Sequence, residues 1–156
     1  MGIMGGWMGS RRTFRWLAFV AVLAWGCGDD GAGPDPAIAQ FVGQWAATKL
    51  VLTSVANPEI APDIIALGAQ FSLDVQPSGQ YTAILIYSGQ AGTEIGTITV
   101  PGNTITLHRD FPTPSTTTAV YQLSGNLLTL DGDTEFDFNL DGTAEAARAH
   151  FELIRS

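Results

Sequence analysis

The sequence predicts an all-β domain, an eight-stranded antiparallel up-and-down barrel over residues 41 to 156. Three observations carry that reading. Apolar and polar residues alternate with period two in run after run, the pattern of a strand with one buried face. Short stretches rich in Gly, Pro, Asn and Ser separate the runs and suit hairpin turns. No amphipathic segment is long enough to cover so large a sheet, so the sheet must close on itself to bury one face and remove its edges.

In chain order, the first strand is expected within FVGQWAATKLVLTSV. A long connection follows, in which PEIAPDIIALG, from Pro58 to Gly68, is a short helical candidate broken by Pro62. QFSLDVQ places Phe71, Leu73 and Val75 on one face against Ser72 and Asp74 on the other. QYTAILIYS begins after Pro77-Ser78-Gly79, TEIGTITV after Gly89-Gln90-Ala91-Gly92, and TITLHRD after Pro101-Gly102-Asn103. TTAVYQLS meets NLLTLDG across Gly125-Asn126, and ARAHFELIR closes the chain. The third strand is apolar on both faces, Ile84 and Ile86 on one and Tyr81, Ala83, Leu85 and Tyr87 on the other. That predicts an outer cover from the helical candidate or the long connection.

Ahead of this domain, Arg11, Arg12 and Arg15 form a basic head, and WLAFVAVLAW from Trp16 to Trp25 is an uninterrupted apolar run. The run is too short for a permanent span, so residues 1 to 26 read as a signal peptide. Ser10-Arg11-Arg12-Thr13-Phe14 partly matches the twin-arginine export pattern, with the general secretory route as the other reading. Met1, Met4 and Met8 are alternative starts. The single cysteine, Cys27, comes next and has no partner in the chain for a disulfide.

Ala24-Trp25-Gly26-Cys27 resembles the lipobox of bacterial lipoproteins, with Leu23 one residue further upstream than the usual leucine and a bulky Trp25. The resemblance implies that Cys27 is the first mature residue and carries lipid, which anchors the chain to a membrane without a spanning helix. Each buried methylene contributes about 0.8 kcal/mol. It also implies the cell envelope, and in a Gram-negative host the outer membrane, because Gly28 and not an aspartate follows the cysteine. Ordinary cleavage that leaves Cys27 as a free thiol is the alternative. Residues 27 to 40 then read as a lipidated N-terminus and flexible linker, since GDDGAGPDP has no apolar periodicity.

The chain holds 7 basic and 15 acidic residues, three of the basic ones and no acid lying in residues 1 to 26. Removing the leader leaves four basic against fifteen acidic residues, a net charge of −11. That balance argues against nucleic acid or anionic headgroups as partners of the folded domain. A monomer is expected.

At the ends of the domain the chain resembles lipocalin-like proteins. Gly43-Gln44-Trp45 matches their G-x-W motif at the start of the first strand, and Arg155 stands on the last strand, where they place an arginine over that tryptophan. Arg155 shares the phase of Ala149, Phe151 and Leu153, so it points inward, where an indole face offers a cation–π attraction of about 1 kcal/mol. Fraying into solvent near the C-terminus is the other reading of Arg155. The domain is shorter than most lipocalins and lacks their helix after the barrel. The resemblance implies a small apolar or amphipathic ligand inside, with Tyr81, Leu85, Tyr87, Tyr121 and Phe151 as candidate lining residues. Arg109, in phase with Ile105 and Leu107, is a candidate partner for a ligand carboxylate or else a solvated strand end. A barrel filled by its own side chains, serving as a structural or interaction module, is the alternative function.

Catalytic chemistry is thin. His108 and His150 lie on different strands, and the chain has no G-x-S-x-G, P-loop, H-E-x-x-H or dinucleotide fingerprint, so no enzyme and no catalytic residue is expected. DFNLDGTAE matches the opening of a calcium loop, which makes Asp137, Asn139, Asp141 and Glu145 candidate calcium ligands. Arg148 occupies the twelfth position, where an EF-hand needs a glutamate. An Asp-Gly hairpin with solvated acids is the competing reading.

Overall fold

The computed structural model describes residues 35–139 and 141–156. The expected signal peptide, Cys27 and the first part of the expected linker lie outside the described residues. Eight antiparallel strands close into a barrel in sequence order: β1 (Gly43–Ser54), β2 (Gln70–Val75), β3 (Gln80–Tyr87), β4 (Gln90–Thr99), β5 (Thr104–Phe111), β6 (Ser115–Ser124), β7 (Leu127–Phe136) and β8 (Glu145–Arg155). β1 and β8 complete the cylinder, pairing from Trp45 opposite Arg155 to Ser54 opposite Ala147 with one register shift between Ala47 and Lys49. The expected all-β up-and-down barrel is therefore the observed fold.

One end of the barrel is sealed by packing. A four-residue helix, α1 (Pro36–Ala39), starts at Asp35, whose side chain accepts the Ala37 amide, and carries proline in its first turn. α1 occupies the last part of the segment read as a linker. Ile38 is buried there against Gly79, where an added Cβ would stand 3.0 Å from the isoleucine Cδ1. Phe41, Trp45, Val75, Ile98, Ile105, Leu128 and Leu153 fill the interior behind it. The Trp45 indole N–H donates to the Phe41 carbonyl at 2.7 Å. Arg155 lies with its guanidinium carbon 4.5 Å from the centre of the Trp45 ring and donates to the Gln40 carbonyl. Gly43 allows this closure, because its φ of +127° lies in a region that L side chains avoid, and the Arg155 stem passes directly over it.

The opposite end is plugged by residues 55–69. The segment Pro58 to Gly68 forms hydrogen-bonded turns and an isolated bridge from Asp63 to Val51 in place of the expected short helix. The backbone explains the difference. Leu52 N–H donates to Pro62, Ser54 N–H to Ile60 and Ile64 N–H to Leu50, while an Asp63 carboxylate oxygen accepts the Leu50 and Ile65 amides. β2 pairs only with residues 43–46 of β1, so the far half of β1 takes its partners from the connection. Ile64 is fully buried against Leu50, Leu52, Ala69 and Ala149. The connection therefore caps the interior and does not cover β3. Ile84 and Ile86 stand exposed on the outer wall, which corrects the expected cover.

Two strands are longer than their apolar runs. β4 begins at Gln90, because Ser88 and Gly89 both take positive φ and make the tight turn themselves. β7 continues past Gly132 to Phe136, paired residue by residue with β8.

Candidate functional site

Between the sealed end and the plug lies a cavity of about 420 Å³. It exists because the inward positions that meet there are small: Ala83 on β3, Gly92 on β4, Ala119 on β6, Gly132 on β7 and Ala149 on β8. Larger apolar residues form the rest of the wall, with Leu50, Leu52, Leu73, Leu107 and Leu130 from the strands and Ile64 from the plug. Phe71 and Phe151 meet across it, ring centres 5.0 Å apart.

One side of the wall is polar. Tyr81 on β3, Gly96 on β4 and Arg109 on β5 stand in one cross-strand row. The row depends on a bulge. Gly96 pairs with Arg109 and Ile95 with Phe111, which leaves Asp110 as the extra residue and turns Phe111 outward. The strands approach so closely at the bulge that a Cβ on Gly96 would stand 2.1 Å from the His108 carbonyl oxygen. Arg109 donates to Glu94 at 2.7 Å and, through Nε, to the Thr113 carbonyl at 2.8 Å. Ser115 and Thr117 add hydroxyls to the same wall.

Tyr81 is 2 % exposed, and among the described residues its hydroxyl has no hydrogen-bond partner. A buried orphan donor of this kind costs about 1 to 3 kcal/mol and is uncommon in folded proteins. Burial is the main cause that pushes the phenol up to about 12. Glu94 and Asp110 raise it further, and Arg109 opposes them. The hydroxyl therefore stays protonated and available as a donor across the physiological range.

Of the candidate lining residues, Tyr81, Leu85, Arg109 and Phe151 face this cavity. Tyr87 and Tyr121 do not border it, although they share the inward phase. Tyr87 packs beside Phe136 in the plugged end, ring centres 6.1 Å apart. Tyr121 belongs to the sealed end, edge-on to Phe41 at 4.9 Å, with its hydroxyl donating to the Gly102 carbonyl. Phase decides inside from outside, but height along the strand decides which part of the interior a side chain reaches. Glu94 was missed by the sequence reading. Its signal was the alternation with Gly96 and Ile98, which places a carboxylate on the inner face.

The calcium candidates gather in one loop, and their oxygens are spent on its own amides. Asp137 accepts from Asp141 and Gly142, Asn139 accepts from Asp141, Asp141 accepts from Thr143, and Glu145 accepts from Phe138, all between 2.8 and 3.2 Å. The Thr143 amide is the chief cause that holds the Asp141 carboxyl below its ordinary range. Among the described residues no group of three or more His, Cys, Asp or Glu side chains is placed to hold a metal ion. The geometry is that of a turn closed by side-chain caps. His150 lies on the outer surface, 2.7 Å from Asp131, and His108 sits between Thr99 and Thr116, so neither histidine borders the cavity.

Comparison of the chain with protein-family models, with curated proteins and with solved structures finds no match, so the closed eight-stranded barrel and its cavity are the features on which a function can be argued.

Proposed function

We propose that the chain is a lipid-anchored protein of the cell envelope whose lipocalin-like barrel holds a small apolar or amphipathic ligand. The observation that carries this reading is the cavity of about 420 Å³ with mostly apolar walls. Small-molecule sites span roughly 300 to 1,000 Å³ and combine apolar walls with a few placed polar groups. A barrel serving as a filled interaction module would use large side chains where this one has Ala83, Ala119, Gly132 and Ala149. Arg109 and Glu94 neutralise each other at the polar wall, an arrangement better suited to recognition than to acid–base work. The anchor rests on the basic head, the apolar run and Cys27. An outer-membrane site in a Gram-negative host and a monomeric state belong to the same proposal.

Two measurements test it. N-phenyl-1-naphthylamine should gain fluorescence saturably in the full chain, and a native mass spectrum from the protein's own membranes should show retained ligand together with acyl chains on Cys27. A flat titration with no retained mass would replace the binding module by the filled-barrel interaction module. Cys27→Ser should abolish labelling by a fatty-acid probe and release the protein from membranes; equal labelling of both forms would remove the anchor.

A further inference from the structure

The polar wall of the cavity is specific enough to name the chemistry of its occupant, given the binding function proposed above. We infer that the barrel selects an uncharged amphiphile with a hydrogen-bond-accepting oxygen, a ketone, ester or ether on a hydrocarbon body, whose oxygen takes the orphan hydroxyl of Tyr81 while fatty carboxylates are excluded.

Two independent observations support this. The first is the donor. Tyr81 is buried, borders the cavity and has no partner for its hydroxyl, so a ligand oxygen that accepts from it removes a penalty the empty barrel carries. The phenol remains a donor at neutral pH, because burial and the neighbouring acids oppose its ionisation. The second is the charge. The inward-facing charges at the cavity are one carboxylate, Glu94, and one guanidinium, Arg109, whereas Asp133 and Glu135 stand in the outward phase of β7, Asp133 beside Arg148. The Arg109 guanidinium is already engaged by Glu94 at 2.7 Å and by the Thr113 carbonyl at 2.8 Å. A carboxylate entering this space would lose water and find the one cation already matched by Glu94. A neutral oxygen carries no such cost and still earns the bond to Tyr81. The row of Tyr81, Gly96 and Arg109 makes the discrimination local, since Gly96 places no side chain between the phenol and the ion pair.

The experiment uses three probes of equal chain length, undecane, 2-undecanone and undecanoate, displacing N-phenyl-1-naphthylamine from the full chain at neutral pH. The ketone should bind about ten-fold more tightly than the carboxylate, the discrimination expected when an ion must be desolvated with no free counter-charge. Tyr81→Phe should weaken the ketone about five-fold and leave undecane unchanged, the loss expected for one hydrogen bond. Glu94→Gln should free Arg109 and raise undecanoate affinity about five-fold or more. This last arm decides the matter even if Tyr81→Phe loses the barrel's circular dichroism. Carboxylate binding tightest in the wild type, or a ketone-to-undecane ratio unmoved by Tyr81→Phe, overturns the inference while the binding function stands. No signal from N-phenyl-1-naphthylamine and no binding of any probe would overturn both.

Discussion

The two halves of the barrel interior follow the same alternation and differ in the size of what points inward. At the sealed end the inward positions carry Trp45, Val75, Ile98, Ile105, Leu128 and Leu153, with Phe41 delivered from outside the sheet, and each is at most 3 % exposed. In the other half Ala83, Gly92, Ala119, Gly132 and Ala149 occupy equivalent inward positions, and about 420 Å³ stays open among them. A barrel therefore need not be uniformly packed to close. One dense end supplies the close-packed contacts that stability requires, which frees the other end to keep space. The polar groups divide less cleanly. At the sealed end the indole N–H of Trp45 is satisfied by the backbone, but among the described residues Arg155 Nε at that end and the hydroxyl of Tyr81 in the open half both lack a partner.

Substitutions at the sealed end should break this contrast most severely. Trp45→Ala should cost about 3 to 5 kcal/mol in urea unfolding, because the indole is fully buried and its removal leaves a void the sheet cannot close. Arg155→Ala should cost about 1 kcal/mol through the lost cation–π contact, and the double variant should lose less than the sum, since both remove one interface. A strictly additive pair would separate the two residues energetically. At the boundary between the halves, Gly96→Ala should cost about 1 to 3 kcal/mol, because the new Cβ would meet the His108 backbone and the bulge would have to open.

The orphan phenol gives the cavity half its own pH signature. The pKa of folded Tyr81 is raised from 10.0 to about 12, so the native state keeps its proton after the unfolded chain has released it. This contribution to stability is fully present below pH 10 and should decline as pH rises toward 12. Tyr81→Phe should flatten that part of the profile, measured as ΔG of unfolding between pH 9 and 12. A profile identical in both proteins would place the ionisation elsewhere.

Smaller effects should mark the open half itself. Ala119→Leu should change stability by no more than about 1 kcal/mol, because it grows into space and not into a packed neighbour, yet it should remove saturable uptake of N-phenyl-1-naphthylamine. The smallest response is expected from calcium. The melting temperature should not move with calcium concentration, because the oxygens of Asp137, Asn139 and Asp141 are engaged by amides of their own loop. A rise that disappears in Asp137→Ala would make the loop a metal site.

Much of this architecture is legible in the chain. Each of the eight strands overlaps a run read as a strand, and Gly125-Asn126 is the turn it was read to be, because a half-buried strand tends to alternate whatever it packs against. The pairing of Trp45 with Arg155 was readable from phase at the two chain ends. Less was readable wherever a backbone had two ways to satisfy itself. Residues 58–68 could have satisfied their backbone groups within a helix, but the far half of β1, beyond the reach of β2, engages them: the Pro62 and Ile60 carbonyls accept from Leu52 and Ser54, and the Ile64 amide donates to Leu50. The bulge at Asp110 leaves no mark in the sequence, since it depends on how closely β4 and β5 approach at Gly96.

The sequence by itself determined which residues face inward within each regular stretch, because alternation is a property of a single strand, while the bulges that reset the phase of β1 and β5 came from strand pairing. It also set the closure into a barrel, because no other element could bury so large a face. Only the tertiary structure decided what stands beside what. Tyr81, Tyr87 and Tyr121 share an inward phase, yet the tilt and stagger of the strands send one to the cavity, one to the plug and one to the sealed floor. The same stagger brings Glu94 to Arg109 and leaves the hydroxyl of Tyr81 unpartnered, since that geometry is fixed by register across β3, β4 and β5 and not by the order of residues along any one of them.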